Sequence, residues 1–153
     1  MSASDDRQSY RISTILAEEM VAASAAPPSA KIIIVGSGQL DLLVAFLRRG
    51  YANVDCLSGD CGPHPPTGET DLVITAVRSE AELRHILRRF GSVLHSGGRI
   101  LLHLAAIDFR NERRVRELFL NMGFAALERL PSRSGQGHLW CALRRGAAMA
   151  RAA

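Results

Sequence analysis

Lysine is almost absent from this chain. Lys31 is the only one, so arginine carries nearly all of the net charge of +4. Aromatic residues are also scarce, at five phenylalanines, two tyrosines and one tryptophan, and most fall at apolar, core-type positions. That removes the stacking platforms on which single-stranded nucleic acid is held. The arginines are spread over every expected helix and so read as a solvated surface rather than a basic patch. No nucleic-acid partner is expected. No apolar run approaches the ~18 residues that cross a bilayer, and Met1 to Asp6 is polar and acidic, unlike a secretory leader. The expectation is a cytoplasmic protein without a membrane partner. The three cysteines, Cys56, Cys61 and Cys141, form no paired framework, which agrees with a reducing compartment.

What the chain does contain is organised around Lys31 to Asp55. Lys31-Ile32-Ile33-Ile34-Val35 is an unbroken, mostly β-branched run, the composition of a strand buried on both faces. Gly36-Ser37-Gly38 turns the chain. From Gln39 to Arg49 the apolar residues Leu40, Leu43, Val44 and Leu47 recur at helical spacing. Gly50 stops that helix after Arg48 and Arg49 have placed positive charge at its carboxyl end, and Asn53 to Leu57 reads as the next strand. Such a unit opens a doubly wound sheet, whose glycine turn is where a nucleotide-like ligand binds.

At 153 residues the chain suits a single domain that buries roughly 70% of its unfolded surface. Gln8 to Ser24 carries Ile12, Leu16, Met20 and Ala23 on one stripe and is expected to be an amphipathic helix. With its Pro27-Pro28 linker it makes an amino-terminal segment, 1–30, ahead of a main domain, 31–145, and a disordered tail, 146–153. Ser58 to Thr70 holds Gly59, Gly62, Pro63, Pro65, Pro66 and Gly68, which excludes a regular helix or inner strand. Asp71 to Thr75 is a further buried strand. Ser79 followed by Glu82 is a capping-box pattern ahead of a helix with Leu83, Ile86, Leu87, Phe90 and Leu94 inward. Ser96-Gly97-Gly98 is expected to turn into a strand from Arg99 to Leu104. A helix over Asp108 to Met122 stops at Gly123, and Phe124 to Leu130 and His138 to Arg144 form a hairpin across a short, glycine-containing link. The order α-β-α-β-β-α-β-α-β-β predicts a three-layer, Rossmann-like α/β fold. Its sheet is mainly parallel with a carboxyl-terminal antiparallel hairpin.

That order and these motifs resemble the class I methyltransferases that use S-adenosylmethionine, over roughly Ala30 to Arg145. Ile32 to Leu40 is similar to the family's first motif, a strand followed by Gly-x-Gly-x-Gly. Asp71-Leu72-Val73-Ile74 looks like its fourth-strand motif. Val93 to Leu102 is similar to the Gly-Gly-Arg approach to the fifth strand. Met122-Gly123-Phe124 with Leu127-Glu128-Arg129 looks like the approach to the sixth. The resemblance implies S-adenosylmethionine as cofactor, held by Gly36, Ser37, Gly38, Ser58, Asp60 and Thr75, with Asp55 a second candidate for the ribose. Ala76 to Arg78 would face a methyl acceptor of unknown identity. Against the family pattern, Leu40 stands in place of the third glycine and Ile34 in place of an acidic residue. Leu57 to Asp71 is too short for the family's next helix and third strand.

Two functions follow. One is a cofactor-binding methyltransferase. The other is a non-catalytic relative acting as a binding or assembly module, its second strand left as an edge that a protein partner or a second copy of the chain can pair with. Asp41, at the position where a dinucleotide motif needs alanine or glycine, would repel a pyrophosphate and excludes a nicotinamide cofactor. Cys56, Cys61 and His64 sit within one loop but lack a second ligand pair at zinc spacing; they read as an ordinary surface loop. His103, near a strand end, is either a base at the ligand-facing edge or a core histidine with a backbone partner, and the second account is preferred. His85 and His95 read as solvated.

Overall fold

The computed structural model describes residues 14–36, 39–57, 68–105, 111–132 and 137–145. The expected helical residues 8–13, Ser37, Gly38, Ser58, Asp60, Cys61, His64 and the 146–153 tail lie outside them. The elements in order are α1 (Thr14–Ser24), β1 (Ile32–Val35), α2 (Gln39–Arg48), β2 (Val54–Leu57), β3 (Thr70–Val77) and α3 (Glu80–Phe90). A 3₁₀ turn (Gly91–Val93), β4 (Leu94–Ala105), α4 (Glu112–Asn121), β5 (Phe124–Leu130) and β6 (Gly137–Arg144) complete the chain.

Among the described residues the sheet has six strands in the order β2-β1-β3-β4-β6-β5. The first four run parallel, and β6 is antiparallel to both β4 and β5. β2 lies at the edge of the sheet among the described residues. The sheet's inner strands alternate between two cores. Ile33, Val35, Val73, Ile100, Leu102 and Trp140 pack on α3 and α4, while Ile32, Ile34, Leu72, Ile74, Leu101 and Leu139 pack on α1 and α2. With both faces covered, β1 is buried at all four residues, which is why its sequence shows no polar alternation.

Local chemistry sets the helix ends. The Ser79 hydroxyl accepts the Glu82 N–H at 3.2 Å, the N-cap half of the expected capping box, and the Glu82 carboxylate reaches back to the N–H of Arg78, one residue before the cap, at 3.1 Å. Asn111 caps α4 by accepting the Arg114 N–H at 3.3 Å; the expected helical residues 108–110 lie outside the described residues. α1 is tied down at its carboxyl end by the Arg99 guanidinium, which donates to the Ser24 carbonyl.

Two expectations are corrected. Leu94 is the first residue of β4 rather than the last of the α3 stripe, and Gly97 and Gly98 lie inside that strand rather than in a turn before it. They belong to a bulge of β4 itself, since a step of five residues along β4 (Leu94 to Arg99) passes a step of two along β3 (Thr70 to Leu72) before regular pairing resumes at Arg99. A Cβ at Gly98 would sit 3.0 Å from the His95 carbonyl oxygen and 3.1 Å from that of Thr70, so a close strand approach selects glycine there. The second correction is the face of α2. The buried residues are Leu42, Ala45 and Phe46, while Leu40, Val44 and Leu47 point outward. Phe46 decides the rotation: its ring fills the interior and meets Tyr51 edge-on at 5.0 Å, a larger apolar burial than the leucine stripe offers.

Candidate functional site

β1 is the topological switch point. From it the chain goes to β2 on one side and returns to β3 on the other, which opens a crevice at the carboxyl ends of β1 and β3. The residue at its mouth is Gly36, with φ +84°. That backbone is open to glycine and strained for any other residue. A Cβ at Gly36 would also press on the Thr75 hydroxyl, 3.2 Å away. Thr75 itself is fully buried, and its hydroxyl donates to the Val35 carbonyl at 2.8 Å. It locks the last residue of β1 to β3 from beneath the turn.

Gln39, in the first turn of α2, donates its amide N–H to the Leu57 carbonyl at 2.6 Å. This bond ties the start of the helix to the end of β2 and leaves the Gln39 amide oxygen as an acceptor beside the glycine turn. Sequence reading missed it. A glutamine at a helix start carries no signal of its own, and only the close approach of α2 and β2 gives it a role.

Of the other expected site residues, Asp55 is exposed in the middle of β2, in register with Ile33 rather than at the strand's end. Leu40 is exposed and lines a shallow cleft of about 220 Å³ with Thr14, Ala17 and Asp41. Cys56 is half-buried, and burial, with Asp55 beside it, pushes its thiol pKa up. No cluster of metal-ligating side chains occurs among the described residues.

His103 is a core histidine, fully buried in register with Ala76 and Leu139. Neither ring nitrogen has a hydrogen-bond partner among the described residues, so the backbone partner expected for it is absent. Burial pushes its pKa below 6.5, His138 adds to the depression, and Glu19 opposes it. His95, expected to be solvated, instead pairs with Asp71 across the opposite, amino-terminal edge of the sheet. Its Nδ1 lies 2.8 Å from the Ser96 carbonyl and its Nε2 2.7 Å from Asp71 Oδ1. Both nitrogens therefore donate, which requires the imidazolium. The Ser96 carbonyl and Asp71 raise the His95 pKa, and the Lys31 N–H and His95 lower that of Asp71.

The two histidines act in opposite directions on stability. Below 6.5 an unfolded His103 takes up a proton that the folded one resists, so stability falls as the pH drops. The His95–Asp71 pair contributes fully below 6.5 and is lost as the pH rises through the raised His95 value. Both side chains are exposed by about 40%, so the pair is worth at most about 1 kcal/mol. Urea midpoints measured against pH are expected to peak near 6.5. His103→Leu should flatten the acid side and His95→Gln the alkaline side. A profile unchanged by either substitution would contradict these assignments.

A six-stranded sheet in this order, with a glycine turn at the switch point and a terminal antiparallel hairpin, defines the class I S-adenosylmethionine-dependent methyltransferase fold. Solved structures bear this out. The tRNA (m1A58) methyltransferase TrmI of Aquifex aeolicus matches 90% of this chain and 72% of its own length, with a TM-score of 0.65 and 13% identity. The 1,6-didemethyltoxoflavin-N1-methyltransferase of Burkholderia thailandensis, solved with its acceptor and S-adenosylhomocysteine, matches 87% of this chain and 78% of its own, at 0.61 and 14% identity. The CurJ carbon methyltransferase matches 90% of this chain at 0.58 and 14% identity, and the chain spans 57% of its length. At such identities the likeness is one of fold. No family model matches the sequence, and no curated protein matches it in sequence. Among the described residues no helix is long and apolar enough to cross a membrane.

Proposed function

We propose that the chain binds S-adenosylmethionine at the carboxyl edge of β1 and β3 and is a cytoplasmic methyltransferase. The observation that carries this reading is the open, left-handed backbone at Gly36, at the switch point, where a Cβ would be strained and would press on the Thr75 hydroxyl at 3.2 Å. The cofactor supplies a methyl group on a positive sulfonium, which passes to an acceptor's lone pair and leaves S-adenosylhomocysteine. The residues of this chain have the simpler task of binding and aligning. Gly36, with Ser37 and Gly38, presents backbone to the methionine and ribose end. Thr75 holds the strand ends beneath it. Ser58 or Asp60, which follow β2 in the sequence and lie outside the described residues, are the acceptors that the resemblance assigns to a ribose diol, and the Gln39 amide oxygen is a further acceptor at the start of α2. Asp41, in the first turn of α2, suits a cationic ligand better than a phosphate. Of the residues expected to face the acceptor, Ala76 and Val77 are buried within β3, which leaves Arg78, exposed just beyond the strand, for that role. The free thiols of Cys56 and Cys141 fit a reducing compartment.

The test is thermal unfolding with saturating S-adenosylmethionine or S-adenosylhomocysteine. At ~100 times its dissociation constant the ligand adds about 2.7 kcal/mol, a rise in Tm of roughly 5–10 °C for a domain of this size. No rise with either ligand at millimolar concentration would overturn the reading. The alternative, a non-catalytic module, would then stand. It is favoured by one observation, that the carboxylate nearest the end of β2, Asp55, lies within the strand and away from the crevice.

A further inference from the structure

The outer face of α2 is apolar and has no cover among the described residues. Leu40 is 68% exposed, Val44 37% and Leu47 52%. They follow one another at i, i+4 and i+7 and so form a single stripe about 10 Å long. Beside the stripe lie Asp41 and Arg48, two turns apart and both on its α1 side, where they line the same cleft. Neither makes an ion pair among the described residues, whereas the adjacent Arg49 is held by Glu18 at 2.7 Å. Two turns separate Asp41 from Arg48, too far for them to pair with each other.

We propose that this face pairs with the same face of a second copy of the chain, α2 against α2, antiparallel about a two-fold axis through Val44. Such an axis sets Leu40 against the partner's Leu47 and Val44 against the partner's Val44, which closes the stripe on itself. It also keeps each charge on its own side of the stripe while reversing the helix direction. Asp41 therefore comes level with the partner's Arg48, and Arg48 with the partner's Asp41. A parallel arrangement sets each charge level with its own kind. The antiparallel macrodipoles favour the same choice. Isologous contacts of this sort are the commonest in homo-oligomers. The cleft between α1 and α2, walled by Ala17 and Ala45, takes up the partner's projecting side chains. A stripe of three side chains and two exposed ion pairs is at the small end of specific interfaces, so the dimer is weak and reversible.

Sedimentation equilibrium over micromolar to millimolar protein tests this. The wild-type chain is expected to show monomer–dimer exchange that weakens with salt, and Leu47→Glu to be monomeric. Asp41→Arg and Arg48→Asp alone should each weaken association about tenfold, because each replaces two attractions by two repulsions. Together they should restore it, a readout that loss of fold in one variant cannot imitate. A wild-type chain that stays monomeric throughout, or a double variant no tighter than the single ones, would overturn the proposal.

Discussion

Gly137→Ala is expected to cost about 3 kcal/mol or more, the sum of a backbone penalty and a clash. Gly137 opens β6 at φ +154°, and a Cβ there would run into the Leu104 carbonyl oxygen and lie 2.9 Å from His103 Nε2. Neither neighbour can step aside. The carbonyl belongs to the backbone of β4 at the centre of the sheet, and the imidazole is fully buried. The strands must separate at the end where Ala105 and Gly137 pair, in a ladder that also seats Trp140. Against a total stability of 5–15 kcal/mol for a typical domain, a loss of this size lowers Tm by roughly 6–12 °C. Gly68→Ala is the reference. Its φ is +74° with nothing within 4 Å of an added Cβ, so it costs only the left-handed backbone, about 1–2 kcal/mol. Equal urea midpoints for the two variants would mean that β4 and β6 part freely.

The layers of this fold were legible because burial leaves a mark in composition. Ile32 to Val35 is apolar without alternation since α3 covers one face and α2 the other. The glycine-containing link after Leu130 announces a hairpin, because a parallel return would need a dozen residues. Four motifs in order gave the methyltransferase fold at identities near 14%, since spacing of strands and turns outlasts the residues themselves. What escaped was whatever depends on two elements meeting. α2 is apolar on both sides, and only packing shows that Phe46 rather than Leu40 faces the sheet. His95 and Asp71 stand 24 residues apart and come together because β3 and β4 begin at the same edge. Gly97 and Gly98 look like a turn ahead of a strand, and Gly97 does take the left-handed backbone of one, but Gly98 is selected where β4 crowds the Thr70 carbonyl of β3. At the candidate site, Gly36 was readable as a glycine following a buried strand. Gln39 was not, since its role is fixed by the carbonyl it reaches on another strand.

That difference makes Gly36 the decisive position for function. Gly36→Ala is expected to abolish the Tm rise of roughly 5–10 °C given by S-adenosylhomocysteine, while leaving a folded protein. The added Cβ meets the Thr75 hydroxyl at 3.2 Å, a contact that a small shift relieves, so the fold loses about 1–2 kcal/mol for the left-handed backbone. That shift is made by the turn itself, and the added methyl stands on the backbone that the ligand must approach closely, where only glycine leaves room. Gly50→Ala separates the two effects. Gly50 has nearly the same φ, +85°, at the far end of α2, with nothing within 4 Å of an added Cβ. It should lose the same 1–2 kcal/mol and keep the full ligand response. If Gly36→Ala and Gly50→Ala respond alike to the ligand, the cofactor does not lie on the Gly36 turn. Where the wild-type chain responds and only Gly36→Ala does not, binding is placed at the switch point of the sheet, because strain alone is matched between the two variants.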